Sequence, residues 1–422
     1  MTGKRIVLSS FGSFGDVYPY IGLALGLRDR GHAPVLAMPA WYRETVEREG
    51  LAFHAVRPDI DPSDRETVGR IMDAAGGTEY IVRDLILGSL RDSFDDLTAA
   101  ARGADLMITH PVTFAGPIVA QHERLPWAST VLAPMSFFSK HDLPVFPPIP
   151  WAKRLERIPG AAGALVALAK RMTRPWGAPV HALRRELGLP PGGDPVFEGQ
   201  HSPHLVLGLF SRVLGTPQTD WPANVTVTGP IPYNGPRGGA PLSTRLTDFL
   251  NAGDPPVVFT LGSSAVGAAG SFYHESVEAV RRLGVRAVLL VGPHAENRPE
   301  GVLPDGVLLE EFAPHAGLFP RASVVVHQGG AGTVHQGLLS GRPTLVVPFA
   351  HDQPDNAWRV ERLGVSRTIR PKHYTARAVE RTLDLLLSED AFAARAAEVA
   401  RVVNAEDGVA SACDAIERLI NE

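Results

Sequence analysis

The sequence holds a single cysteine, Cys413, among 422 residues. That excludes an intrachain disulfide and any cysteine-built metal cage, and makes a reducing, cytoplasmic compartment the simplest expectation. A basic surplus is also missing: 41 lysines and arginines stand against 45 aspartates and glutamates, for a net charge of −4. Nucleic acid is therefore not expected as a partner, since a phosphate backbone is held through excess positive charge. No run reaches the roughly 18 apolar residues that a membrane-spanning helix needs. The opening MTGKRIVLSS enters a strand pattern directly, without the charged region and apolar stretch of a secretory leader. There is no full GxGxxG, so dinucleotide binding is not signalled. No compact carboxylate cluster suggests a magnesium site, so no metal is expected.

What is present is a globular balance, 44% hydrophobic and 20% charged, in a chain long enough for two domains of about 200 residues each. Strand patterns at residues 5–9, 34–38, 51–54, 105–109 and 128–132 alternate with helical stretches, among them 80–101 and 113–121. Strand, glycine turn and helix at the start are the opening unit of a doubly wound sheet, whose ligands gather at the carboxyl ends of its strands. Further strands at 205–209 and 225–228 precede GPIPYNGPRGGAPLS, whose glycines and prolines read as a linker over 231–245. Beyond it the pattern restarts, with strands at 257–261, 286–291, 307–309 and 323–326 and a helix at 272–283. The expected class is α/β: an N-terminal Rossmann-like domain over 1–230, a C-terminal one over 246–404, and an interdomain cleft between two facing parallel sheets. A last helix, 405–422, either finishes the second domain or crosses back to the first.

Two segments do not follow this rhythm. Residues 134–150, rich in proline and aromatics, have no helical or strand period, and a long loop inside a compact domain is usually functional. Its Phe137, Phe138, His141 and Phe146, with Trp151 behind them, read as the wall of an apolar acceptor pocket or as core. In residues 153–174, basic residues flank GAAGALVALA. This is either a peripheral membrane or greasy-acceptor helix, or a helix packed on its own domain.

The densest chemistry lies in HQGGAGTVHQGLLSGRPTLVVPFAHDQPDN, residues 327–356. A glycine turn from strand to helix presents backbone N–H groups and the positive helix end to an anion, usually phosphate. Gly330, Ala331, Gly332 and Thr333 would begin that helix, with His327 at the strand end donating a further hydrogen bond. The alternative is a turn needed only for tight packing, with His327 a satisfied core histidine. Asp352 and Gln353 follow the next strand and emerge at the same sheet edge. An adjacent carboxylate and amide suit the vicinal hydroxyls of a sugar, although Asp352 can equally cap the helix beginning near Pro354.

Turn, spacing and DQ pair together resemble the donor-binding signature of the inverting glycosyltransferases of GT-B architecture. That family includes plant secondary-product, sterol and antibiotic glycosyltransferases, and the likeness extends over essentially the whole chain. Its nearest flavour is the bacterial natural-product and rhamnolipid-type branch. The resemblance implies that His327 and Ala331 to Thr333 hold a nucleotide diphosphate, with Ser13, Ser263 and Ser264 adding phosphate contacts, while Asp352 and Gln353 hold the hexose. It places Phe312 as the ring stacked on the base, Ala313 as a backbone reader and His315 beside them. Plant-type relatives carry a ribose-binding glutamate where this chain has His335, which leaves UDP or dTDP open. The co-substrate would be a nucleotide-linked hexose, with no cofactor.

By the same resemblance Asp16, in the first glycine turn, is the catalytic base, as in the antibiotic and sterol branches; burial that raises a carboxylate's affinity for protons suits that work. The alternative is that Asp16 caps the first helix. His110 falls where histidine-based relatives carry a supporting aspartate, which makes it either a partner to Asp16 or simply the end of its strand. The expected reaction is hexose transfer to a hydroxyl of an apolar small molecule such as a polyketide, a phenolic or a lipid. A nucleotide-sugar epimerase or hydrolase, and a silent nucleotide-sugar-binding partner of another transferase, are the rival readings.

Overall fold

The computed structural model of the protein describes residues 3–61, 64–233, 235, 239 and 241–421. It divides into two compact units. Unit 1 comprises Met1–Asp61, Thr78–Tyr233 and Glu406–Glu422; unit 2 comprises Pro62–Gly77 and Asn234–Ala405.

Unit 1 contains seven strands: β1 (Arg5–Ser9), β2 (Ala33–Met38), β3 (Ala52–Ala55), β4 (Leu106–Thr109), β5 (Trp127–Val131), β6 (Leu205–Gly208) and β7 (Val225–Val227). They lie in the order β3-β2-β1-β4-β5-β6-β7, each neighbouring pair parallel. Alternation along β1 sends Ile6 and Leu8 into one core and Val7 into another, so both faces of the sheet are covered. Unit 2 repeats the plan with β8 (Val257–Thr260), β9 (Ala287–Leu290), β10 (Val307–Glu310), β11 (Val324–His327), β12 (Thr344–Val346) and β13 (Ser366–Thr368). Their order is β10-β9-β8-β11-β12-β13, again parallel throughout.

Among the helices are α1 (Phe14–Asp29), α2 (Arg65–Ile71), α3 (Ala161–Thr173), α4 (Ala331–Ser340), α5 (Gln353–Arg362) and α6 (Gly408–Asn421). Residues 62–77, expected within the first domain, group with unit 2 because Val68, Ile71 and Met72 pack into the core around Phe259 and Ala265. The last helix groups with unit 1: Ala412, Cys413 and Ile416 share a core with Ile21, Leu23 and Ala24 of α1. Of the stretch 231–245, expected as a linker, residues 234, 236–238 and 240 lie outside the described ones. From Thr244 the chain is already helical, with the Ser243 hydroxyl accepting the Leu246 N–H as a cap.

Two expected helices differ in form. The stretch 80–101 is a π-helical segment, Tyr80–Ile86, and a separate helix, Leu90–Ala101; Gly88 sits in the break, where an added Cβ would meet the Asp84 carbonyl at 2.3 Å. The stretch 153–174 opens as a 3₁₀ segment, Pro150–Arg157, and turns α-helical only at Ala161, after Pro159 and Gly160. Among the described residues no helix is long and apolar enough to cross a membrane.

Candidate active site

In a doubly wound sheet, the strand order reverses where two crossovers leave in opposite directions, and the crevice beyond the strand ends at that point receives ligands. In unit 1 the reversal lies between β1 and β4. Asp16 follows β1 and His110 follows β4, so topology alone brings them together.

The turn after β1 is built around Asp16. Ser13 is the N-cap of α1 and Asp16 stands at the third helical position, which corrects the expectation that Asp16 might itself be the cap. The backbone N–H and the hydroxyl of Ser13 both donate to Asp16 Oδ2, at 2.8 and 3.1 Å. Gly12 has φ +132°, and a Cβ there would strike Asp16 Oδ2 at 2.3 Å, so only glycine fits. Its carbonyl in turn accepts from the Tyr42 hydroxyl at 2.6 Å. One carboxylate oxygen is thus committed to the turn. The other, Oδ1, lies 3.6 Å from His110 Nε2, an ion-pair rather than a hydrogen-bond distance.

His110 is buried and accepts the Val112 N–H at Nδ1, 3.3 Å away. A neutral ring accepting at Nδ1 carries its proton on Nε2, the nitrogen facing Asp16. Thr113 holds the backbone at this strand end: its hydroxyl donates to the His110 carbonyl at 2.8 Å. Tyr20, wholly buried and hydrogen-bonded to Thr130, lies against the imidazole with the rings tilted at 54° and their centroids 5.9 Å apart. Burial pushes the Tyr20 phenol far up, so it stays a neutral wall.

In unit 2 the order reverses between β8 and β11. After β8 the chain forms a short helix, Gly262–Ala265, rather than an open turn, with Ser263 exposed and Ser264 half-buried. After β11 come Gln328, Gly329 and Gly330, the last serving as N-cap of α4. Gln328 joins the two turns. A Cβ on Gly262, whose φ is +60°, would meet Gln328 Nε2 at 2.4 Å, and the same nitrogen donates to the Thr333 hydroxyl at 3.3 Å. Gln328 Oε1 is buried without a hydrogen-bond partner among the described residues. An acceptor left in this condition within a turn of bare N–H groups is a feature a polar ligand can satisfy.

His327 is buried, and its Nδ1 accepts the Gly329 N–H at 3.1 Å. The ring therefore builds the glycine turn, with its proton on Nε2. Burial and the neighbouring His315 push His327 down to about 3, so the imidazole is neutral at physiological pH. His335, one turn into α4, is held down to about 4 by burial, and its Nε2 has no partner among the described residues.

Asp352 and Gln353 open α5 at the same sheet edge. The Asp352 side chain makes no capping hydrogen bond; instead Asn356 Nδ2 donates to Asp352 Oδ2 at 2.7 Å and to the Gly329 carbonyl at 2.9 Å. Gln353 is buried, and its Oε1 accepts the Phe349 and Ala350 N–H groups at 2.9 and 3.3 Å. The amide oxygen, expected to face a sugar, is thus used to shape the loop, leaving the NH₂ group for a ligand. His351, just before this pair, has φ +55°, the strained backbone that ordered functional loops tolerate. Phe312 is exposed beyond β10, Ala313 is buried, and His315 stacks on Phe319 at 4.3 Å.

The aromatics of the 134–150 loop separate into two groups. Phe137 stacks on Trp221 with centroids 4.0 Å apart and also meets His201 and Phe210, so it belongs to a core. Phe138 and Phe146 are half-buried and nearly parallel at 6.4 Å, with Phe197 against Phe138. His141 is exposed, its N–H bound to the Ser139 hydroxyl, which in turn donates to Asp220. The loop is therefore a built structure. Gln328 and Asn356 were not singled out by sequence; the signal for Asn356 was its place one helical turn after Asp352, and for Gln328 its place inside the glycine motif itself.

Three comparisons bear on this geometry. Residues 280–417 match the family described as erythromycin biosynthesis protein CIII-like, C-terminal domain. The chain is 33% identical to O-mycaminosyltylonolide 6-deoxyallosyltransferase of Streptomyces fradiae, over 98% of this chain and 97% of that one. Among solved structures, the glycotransferase of kitacinnamycin covers both chains fully at a TM-score of 0.76 and 22% identity. Glycosyltransferase VinC in complex with dTDP aligns over 99% of each chain at a TM-score of 0.69 and 21% identity. These structures share the two-domain α/β fold.

Proposed function

The chain belongs to the UDP-glycosyltransferase family and is a glycosyltransferase, and from that premise we propose that it moves a hexose, with inversion and without a metal, from a nucleotide diphosphate sugar to a hydroxyl of an apolar small molecule. The observation that carries the reading is the divided carboxylate of Asp16. Oδ2 is fixed by Ser13 while Oδ1 is held toward His110, so one oxygen stays aimed as the other anchors it.

In this mechanism Asp16 takes the proton of the acceptor hydroxyl as that oxygen attacks the anomeric carbon. The bond from that carbon to the diphosphate oxygen breaks, and the electron pair leaves with the diphosphate. Growing charge there is met by the N–H groups at the start of α4 and by the Ser263–Ser264 turn, dipoles already oriented before the reaction. Asp352, steadied by Asn356, and the Gln353 NH₂ group bind the hexose hydroxyls. Phe312 stacks on the base, and Phe138 and Phe146 line the acceptor side. His110, with its proton on the Nε2 that faces Asp16, orients the base instead of replacing it.

The donor is a UDP- or dTDP-linked hexose. The dTDP bound to VinC and the 6-deoxyallosyl group named for the Streptomyces fradiae relative make a dTDP-linked 6-deoxyhexose the first to test. A thermal-shift screen of UDP- and dTDP-sugars names the donor, since a selective ligand stabilises by its binding free energy. Release of nucleotide diphosphate only when acceptor is present supports transfer; release without acceptor assigns a hydrolase, and no release with any pair assigns a silent binding partner.

A further inference from the structure

The segment from Trp151 to Trp176 contains α3 and the uncharged run from Ile158 to Ala169, yet Ala162 is the only buried residue of that helix. Leu168 and Met172, four residues apart and so on one helical face, are 52% and 69% exposed; Trp151 and Ile158 just before the helix are 62% and 54% exposed. α3 packs chiefly against the 3₁₀ segments that flank it, Pro150–Arg157 and Arg174–Gly177. Among the described residues nine large hydrophobic side chains are exposed, and four of them fall in this one segment. Scattered exposure needs no explanation, but a concentrated apolar patch marks a binding surface.

Its charge is as uneven as its burial. Lys153, Arg154, Arg157, Lys170, Arg171 and Arg174 stand against the single carboxylate of Glu156, in a protein whose net charge is −4. Glu156, with Asp142, neutralises the buried Lys153, and Glu198 pairs with Lys170. Arg154, Arg157, Arg171 and Arg174 are exposed and make no ion pair among the described residues. Four unneutralised guanidinium groups therefore border an unpartnered apolar helix face.

We propose that this face docks the protein onto an anionic phospholipid surface. The arginines meet headgroup phosphates, for which their planar fork is suited. Leu168, Met172, Ile158 and Trp151 enter the boundary between headgroups and acyl chains, where an amphipathic helix with basic flanks lies in the membrane plane and tryptophan prefers to sit. A second copy is a poorer occupant, because a two-fold contact of this face with itself sets arginines against arginines. A neutral apolar acceptor gives the four guanidiniums nothing to pair with. Attachment of this kind is reversible and needs no spanning helix.

The test is co-sedimentation of the full chain with phosphatidylcholine vesicles, alone or mixed with phosphatidylglycerol. Binding is expected only to the mixed vesicles, falling as salt is raised. Leu168→Asp with Met172→Asp abolishes it. Arg154→Ser with Arg171→Ser weakens it on the order of thirtyfold. All four side chains are exposed, so an unchanged unfolding midpoint certifies the variants. No binding to the mixed vesicles, or binding that both variants retain, overturns the proposal. So does self-association that vanishes in the aspartate variant while vesicles stay unbound, which assigns the face to copies of this chain.

Discussion

Asp16 Oδ1 and His110 Nε2 lie 3.6 Å apart at the ends of two neighbouring parallel strands. Because the Val112 N–H occupies Nδ1, the pair is polarised in one direction, proton on the imidazole and lone pairs on the carboxylate. Asp16→Asn keeps an oxygen for the Ser13 N–H but removes the proposed base. Turnover is expected to fall about 10²- to 10⁴-fold with little change in unfolding midpoint. His110→Ala is expected to cost less, roughly tenfold to a hundredfold, mainly in kcat. Steady-state kinetics on both variants decides, and turnover that survives both changes removes the dyad.

Gln328 offers a separate test of the anion site. Gln328→Glu places a negative charge between the Gly262 and Gly330 turns, where a diphosphate is proposed to bind. Calorimetric titration with nucleotide diphosphate is expected to show at least about a tenfold loss of affinity. Gln328→Met preserves volume and serves as the folding control. Undiminished affinity in the glutamate variant, with the fold intact, places the phosphates elsewhere.

The buried histidines predict an acid limb of stability. His327 and His335 are held down to about 3 and about 4 from the ordinary 6.5, so between pH 6.5 and pH 4 the unfolded chain binds protons that the folded one refuses. Stability is full above 6.5 and falls as the pH drops, by at most about 1.4 kcal/mol per pH unit for each histidine. His201 and His315, also held down to about 4 by burial, add to the same limb, so His335→Gln is expected to remove about a quarter of the slope, read from urea unfolding midpoints across the range. An unaltered slope rules His335 out as its source.

Beneath the proposed sugar contacts, Arg359 Nε donates to Asp355 Oδ2 at 2.6 Å, both side chains fully enclosed within α5. Removing one partner takes the closest countercharge from a buried one. Arg359→Met or Asp355→Asn alone is expected to cost about 3–5 kcal/mol, and pairing Arg359→Met with Asp355→Leu should recover much of it. Denaturant unfolding measures both, and a near-zero single-variant effect contradicts the enclosure.

The strands were legible because parallel strands covered on both faces read as short unbroken apolar runs, and those at 5–9, 257–261 and 323–326 fall within a residue or so of their observed bounds. Helix starts at Ala331 and Gln353 were legible from the glycine turn and from proline near the first turn. What escaped were relations between distant residues. Phe137 reads as a pocket wall until Trp221 is seen stacked on it. Gln328 gains meaning only when β8 and β11 are neighbours, bringing Gly262 against it. Residues 62–77 have no local mark showing that Met72 completes the core of unit 2.

The last helix has a consequence for how the chain is made and remade. α6 closes the seam along α1: Cys413 and Ile416 fill the same core as Leu23 and Leu27, Arg30 grips Asp414 at 2.6 Å and Glu417 at 2.8 Å, and Gly26 is bare because a Cβ would strike Val409 at 2.3 Å. During synthesis, the first unit to emerge is thus the last to be completed, its apolar seam waiting until residues 406–421 have been translated. Hybrids that exchange the two halves between relatives keep this seam matched only when that helix comes from the same parent as residues 1–233.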